Sequence, residues 1–506
     1  MEEKKIKRVL EIIPAFFSWL VIITFVVSFA FWPRGAVILL MVYLIYWTLR
    51  LFYMSILLVI AHLRMRRKRD WDWEKIIRSL KSSLQWDEVM HAVLYPVYRE
   101  PASLIVESLQ ALAGVNYPKN KIMVILAGEE RERGVEEKLG RIKNKFKDIF
   151  FDIIITIHPK DLEGEIPAKG ANSTYAAKKL VEYLREKKIA LEKVVVSCFD
   201  ADTRPHQNYF ANLTYHFLTY PKRYQASFQP IPVYSNNIYK VPALARIIEM
   251  GSTFWQLVES MRYEKFVTFS SHAISLKTLV EVDFWPVDLI SDDSLIFWKC
   301  FLKFRGDYRT LALDVPVYMD IAAGKNLWET LKIQYLQKRR WAQGVENFVF
   351  LGINFWKDKE LPLSLKISKL YQLLDNNVNW ATWAIVISII SPFIITAGNL
   401  TMKDSLVLFN LSYINNIISH ALVFVIVLSI LISWEFLPLR PLHLSRLIYI
   451  SFILQWLLIP LVSALLGSLP ALDAQTRLML GRNVSFYYTP KGRYKEGKRE
   501  KVDLTL

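Results

Sequence analysis

The sequence predicts an α/β domain on a mostly parallel sheet, with transmembrane α-helices at both ends of the chain. Two patterns predict it: from Val89 short apolar runs alternate with amphipathic ones, and near each end lie long runs without charge. Val89 to Tyr95 is expected as a strand, Ser103 to Ala113 as a helix, Lys121 to Ala127 as a strand and Glu132 to Lys147 as a helix. Ile153 to Ile157 follows as a strand, Asn172 to Glu186 as a helix and Val194 to Phe199 as a strand. The last of these, VVVSCF, has the branched apolar composition of a central strand covered on both faces.

Ile12 to Pro33 carries no charge, and Gly35 to Leu63 carries only Arg50; each is long enough to cross a hydrocarbon core of about 30 Å. The first is too long for a signal-peptide core and is expected to anchor the chain. Asn376 to Met402, Ser405 to Trp434 and Leu447 to Leu472 are further charge-free runs. Lys4, Lys5, Lys7 and Arg8 precede the first span, and Arg64, Arg66, Arg67, Lys68 and Arg69 follow the second. The N-terminus and the middle domain are therefore expected in the cytoplasm. The basic tail around Lys491 to Lys501 should share that side, which three C-terminal crossings would not allow. An even total is expected, with a further crossing or a re-entrant piece in the Ser405 to Trp434 run or at Pro460. Arg50 is a functional candidate as an intramembrane charge, with snorkelling as the alternative.

These boundaries divide the chain into residues 1–70, with two membrane helices, 85–325, the α/β domain, and 326–375, interfacial helices. Residues 376–475 then form the C-terminal membrane helices and 476–506 a basic cytoplasmic tail. The net charge of +17 lies largely in the tail and beside the spans, where it suits anionic headgroups. No zinc-finger spacing or RNA-binding signature is present, so no nucleic-acid partner is expected. Cys198 and Cys300 are the two cysteines and give no disulfide framework. There is no Walker loop and no G-x-G-x-x-G after the first strand, which argues against an ATPase or a dinucleotide reductase.

Three clusters carry candidate chemistry. Asp200 and Asp202 follow the VVVSCF strand, at the end where such sheets bind ligands; in an extended chain both carboxylates would face one cation. Asp70-Trp71-Asp72 has the same spacing but follows a basic run. Asp292 and Asp293 precede an apolar helical run, where helix capping and a functional role are both open. Gln337, Arg340 and Trp341 share one face of a helical segment from Leu327 to Phe350. A guanidinium there suits phosphate and an indole suits a sugar ring, and an interfacial helix on lipid is the alternative.

In this order the clusters resemble the membrane-bound family 2 glycosyltransferases, which include cellulose, chitin and hyaluronan synthases and ceramide glucosyltransferases. Asp200-Ala201-Asp202 resembles the family's D-x-D, Ser291-Asp292-Asp293 its E-D element, and Gln337, Arg340 and Trp341 its Q-x-x-R-W. Ala168 to Asn172 is similar to its Lys-Ala-Gly-Ala-Asn stretch, and Phe269 to Ala273 to its small-residue loop. Pro96-Val97-Tyr98-Arg99-Glu100 has Arg where the family has Asn. The aspartate after the second strand is missing, and Glu129 or Glu130 supplies the carboxylate there.

The resemblance implies a GT-A-like fold and an inverting transfer from a nucleotide sugar, a UDP-sugar ahead of a GDP-sugar. It makes Asp293 the base, with Asp292 beside it. Asp202, helped by Asp200, would hold Mg2+ or Mn2+, and Glu100, Glu129, Lys169, Asp200 and Arg340 would hold the donor. Trp341 and Gln337 would face a glycan or lipid acceptor at the bilayer. A polysaccharide synthase is the first expectation, single-sugar transfer to a membrane lipid the second, and a scaffold or transporter with a degenerate transferase domain the third.

Overall fold

The computed structural model describes residues 2–401 and 406–482; the basic tail beyond 482 lies outside the described residues. Two long helices open the chain, α1 (Glu2–Phe31) and α2 (Pro33–Lys68), and α3 (Trp73–Arg78) follows. Next come β1 (Met90–Pro96), α4 (Ala102–Ala113), β2 (Ile122–Glu129), α5 (Val135–Phe146), β3 (Asp152–His158), α6 (Lys169–Glu186) and β4 (Val194–Cys198). The chain continues through β5 (Arg204–Pro205), α7 (Tyr209–Thr219), β6 (Ala226–Tyr234), α8 (Ala243–Ser260), β7 (Ala273–Ser275), α9 (Leu276–Glu281), α10 (Asp292–Lys303) and β8 (Arg309–Met319). After these lie α11 (Leu327–Ala342), α12 (Glu346–Lys357), α13 (Leu363–Ile385), α14 (Ser391–Thr401), α15 (Leu406–Glu435), α16 (Ile448–Leu454), α17 (Ile459–Val462) and α18 (Leu469–Met479).

The chain separates into two compact units. Residues 63–237 and 259–321 form the α/β unit, whose sheet runs in the order β3-β2-β1-β4-β7-β6-β8-β5. The first four of these strands are parallel, as the alternating pattern predicts, and β6 pairs parallel with β8. β7 is antiparallel to both its neighbours and β5 is antiparallel to β8, so the sheet is mixed at its far half. Every residue of β2 and β4 is buried, as strands covered on both faces require. In-register pairing brings Pro96 beside Ala127, Glu129 beside His158 and Leu94 beside Cys198. The carboxyl ends of the four parallel strands therefore form one edge, and the loops leaving it carry the candidate acids.

The last turn of α2 belongs to this unit. Arg64 Nε lies 2.8 Å and Lys68 Nζ 3.4 Å from Asp314 Oδ1 on β8, and His216 Nε2 lies 3.0 Å from Asp314 Oδ2. Burial alone would raise the Asp314 pKa, but His216, Arg64 and Lys68 together hold it well below the usual carboxylate range.

Residues 2–62, 238–258 and 322–482 form the helical unit. Among the described residues five helices are long and apolar enough to cross a membrane: Glu2–Phe31, Pro33–Lys68, Leu363–Leu400, Leu406–Glu435 and Ile448–Met479. Arg50 is paired: its guanidinium lies 3.5 Å from Asp375 on α13 and 5.0 Å from the centre of the Trp47 ring. The segment expected as one helix from Leu327 to Phe350 is two, α11 and α12, joined by a 3-10 turn at Gln343–Val345.

Candidate active site

Three loops at the carboxyl edge of the sheet meet at one ammonium. Lys169 opens α6, and its Nζ donates to Asp200 Oδ1 at 2.8 Å and to Asp293 Oδ1 at 3.0 Å. Burial would lower the Lys169 pKa, but Asp200 and Asp293 outweigh it and raise it well above the ordinary lysine value. α6 can bring Lys169 this close because residue 170 is glycine. A Cβ there would stand 2.3 Å from Pro286 O and 2.9 Å from Asp292 Cβ, at the start of α10. Asp292 is buried against this crossing, while the Asp293 carboxylate is partly open. Ser291 holds the N-cap position of α10, and both aspartates fall in its first turn.

Asp200 has a second partner: Ser270 Oγ donates to its Oδ2 at 2.8 Å. Gln229 on β6 fixes the Ser270 loop by accepting from Phe269 N at 2.7 Å and donating to Ser270 O at 3.0 Å. Ser271 then takes a left-handed φ of 66°, a strained conformation for a residue with a side chain, held here by these contacts. Trp285 Nε1 donates to His272 Nε2 at 3.1 Å. The ring proton therefore belongs on Nδ1, 3.0 Å from Phe269 O and 3.6 Å from Asp293 Oδ1. Burial pushes the His272 pKa down, which suits that neutral form.

The D-x-D segment departs from expectation. β4 ends at Cys198, and Asp200 to Asp202 lie in a turn closed by Thr203 N on Asp200 O at 2.9 Å. In a turn the extended-chain alternation no longer holds, and the two carboxylates differ in burial and in partners. The Asp200 side chain is partly open beside Lys169, whereas Asp202 is fully buried and accepts from Asp320 N at 2.8 Å. Asp70-Trp71-Asp72, of the same spacing, has a local job: Asp72 caps α3 by accepting from Lys75 N.

Among the described residues no three or more His, Cys, Asp and Glu side chains converge as a ready metal cage. The chemistry of the donor set nevertheless fits a hard divalent cation bound jointly with a ligand's phosphates. Asp200 offers a carboxylate at the open edge, where its oxygens accept from Lys169 and Ser270, so a divalent cation there would take the place of the ammonium.

Glu129 ends β2 beside this edge, where Arg131 Nη2 lies 2.6 Å and His158 Nδ1 3.4 Å from its Oε2. His158 Nε2 lies 2.8 Å from Glu165, and these two carboxylates raise its pKa against the opposing effect of burial. Glu130 is turned to Lys160 N at 2.9 Å. Glu100 accepts from Tyr98 N at 2.6 Å, in a loop where Arg99 has a φ of 66°. The Arg that stands where the resemblance expects Asn is thus in a conformation that Asn adopts readily.

Gln337, Arg340 and Trp341 lie on α11 in the helical unit. Gln337 is buried; Arg340 and Trp341 are half-buried. Between them Lys338 is buried, with Nζ 2.8 Å from Glu249, 3.1 Å from Ser252 and 3.5 Å from the centre of the Trp341 ring. Burial pulls its pKa down to about 8 in spite of Glu249. Arg339 reaches Asp473 on α18 at 3.1 Å. Sequence reasoning marked Ser270 and His272 only as part of the Phe269 to Ala273 loop and did not mark Gln229 or Glu249, whose partners Ser270 and Lys338 are distant in the chain.

No family model and no curated protein matches the chain. Solved structures similar to it include a mannosyltransferase from Pyrobaculum calidifontis in complex with GDP-Man and Mn2+. That match has 15% identity over 81% of this chain and 99% of that one, with a TM-score of 0.43. Residues 1–349 of S. aureus TarS in complex with UDP-GlcNAc match at 14% identity over 81% and 98% of the two chains, with a TM-score of 0.34. GalNAc-T7 with UDP, GalNAc and Mn2+ matches at 10% identity over 61% and 57%, with a TM-score of 0.32.

Proposed function

We propose that this chain is a membrane-bound inverting glycosyltransferase that moves a sugar from a nucleotide-sugar donor to a membrane-associated acceptor, as a polysaccharide synthase. One observation carries the reading. Lys169 joins Asp200, from the D-x-D segment, to Asp293, from the acidic segment far along the chain. A displacement at a sugar carbon needs groups of this kind, because negative charge builds on the leaving diphosphate while the attacking hydroxyl loses a proton.

Asp293 is the base that takes the acceptor's proton. Lys169 is the cation that turns from the carboxylates to the diphosphate. Asp200 and Asp202 would hold Mg2+ or Mn2+, and the cation would neutralise the leaving group. For Asp202 this requires the turn of residues 200–202 to open toward the ligand. Glu129 and Glu100 border the nucleotide, a UDP-sugar ahead of a GDP-sugar, and Arg340 is the second positive group for its phosphates. Gln337 and Trp341 receive a glycan or lipid acceptor. The donor side is cytoplasmic.

The test is release of nucleoside diphosphate by membranes holding the protein, over a panel of UDP- and GDP-sugars with Mn2+ or Mg2+. Wild type is compared with Asp202→Asn, and products are sized. Turnover of one donor into long chains, lost in the variant, is the expected result. Products carrying a single added sugar would replace the synthase reading by glycolipid synthesis, and silence with every donor would remove the transferase reading.

A further inference from the structure

The segment Ile448–Met479 has the length and hydropathy of a membrane span, yet both of its ends lie beside the basic ends of the first two helices. At its start, the Tyr449 ring is 4.8 Å from Trp434 in the last turn of α15. The next residue, Glu435, lies 3.0 Å from His62 on α2, immediately before the basic run that begins at Arg64. At its finish, Leu478 O accepts from Arg8 in the basic start of α1 at 3.2 Å, and Leu478 packs with Leu10. α1 and α2 form a hairpin joined at Trp32, with Phe25 against Tyr43, so their basic ends share one side. A segment that crossed would carry its ends about 30 Å apart along the membrane normal.

The two faces of the segment point the same way. Val462 and Leu466 pack on Ile247 of α8 and on Leu331 and Tyr335 of α11, and Trp456 stacks on Phe254 of α8. Those helices carry Arg246, Glu249, Lys338 and Arg339, charges that do not belong in the middle of a bilayer. On the other face Ile450, Leu454, Leu457, Leu461 and Leu465 are exposed at helical spacing. Breaks at Gln455–Leu458 and Ser463–Ser468 let the segment bend along this path.

We propose that Ile448–Met479 does not cross the membrane but lies within the leaflet on the basic side. Its leucine stripe is seated in lipid acyl chains and its opposite face supports α8 and α11. Among the described residues the chain then crosses four times. Asp473, which holds Arg339 and Tyr335, fixes the height of α11 at that leaflet.

The test is side-specific labelling of single cysteines with an impermeant maleimide in sealed vesicles; the two native cysteines are buried. Lys5→Cys and Arg34→Cys report the two sides, and His443→Cys and Arg482→Cys report the ends of the segment. All four positions are exposed. Labelling of His443→Cys and Arg482→Cys together with Lys5→Cys is expected. Labelling of Arg482→Cys only from the Arg34 side would overturn the proposal. A fluorophore on Leu457→Cys decides the matter independently. Quenching by lipids brominated near the headgroup is expected, and quenching strongest from the bilayer centre would overturn it. Neither measurement uses a donor sugar, so its outcome is separate from that of the transferase reading.

Discussion

Lys169 Nζ stands 3.0 Å from Asp293 Oδ1 although 124 residues separate them in the chain. The same ammonium binds Asp200, and Gly170 lets the helices bearing Lys169 and Asp293 approach this closely.

Lys169→Met leaves two carboxylates facing each other without their cation. Hydrogen bonds to charged groups contribute on the order of 1.5–3 kcal/mol, so the α/β unit should lose stability in that range. Denaturant unfolding in detergent, followed by tryptophan emission, reads the loss. Lys169→Arg, which keeps the charge, should recover most of it.

Gly170→Ala places a methyl group against Pro286 O. Overpacking of this kind costs about 1–3 kcal/mol, and here it also drives α10 away from α6. Diphosphate release should fall more steeply than thermal stability. A variant that keeps full turnover would show that the close approach is not needed.

Asp314 gives the α/β unit an acid dependence. Its folded pKa lies below the unfolded value, so its contribution is fully present above about pH 4 and is lost as pH falls from there toward the lower folded pKa. Asp314→Asn should be less stable than wild type at neutral pH by about 3–5 kcal/mol, as for breaking a buried ion pair. The gap should begin to narrow as pH drops below 4. Paired unfolding curves between pH 7 and pH 3 measure it.

Glu249→Gln removes the carboxylate opposite the Lys338 ammonium, which also lies over the Trp341 ring. If that indole faces the acceptor, KM for the acceptor should rise while KM for the donor stays unchanged. Steady-state kinetics with each substrate varied in turn separate the two. An equal change in both would make the pair purely structural.

The parallel half of the sheet was legible because β1, β2 and β4 are mostly apolar runs with His91, Ser197 and Glu129 as their polar members, the composition that burial on both faces favours. The strand ends were legible to within two residues. The antiparallel insertion of β7 was not, since Ala273–Ser275 is too short to show a period. At the site, the sequence marked Asp200 and Asp293 through their order and neighbours, and Lys169 through the resemblance of Ala168 to Asn172. It placed Asp200 and Asp202 on one side by assuming an extended chain beyond Phe199, because only the backbone shows that the turn begins at the acids. His158 and Ser270 gain their partners through pairing across the sheet and loop packing, and such contacts leave no spacing to read.

The acids around Lys169 are tested most directly by comparing Asp293→Asn with wild type in two assays on the same membranes, binding of the nucleoside diphosphate and its release from the donor sugar. Loss of a general base should lower release by a factor on the order of 10²–10⁴ while diphosphate binding stays at the wild-type level. Release at the wild-type rate would contradict the assignment of Asp293 as the base.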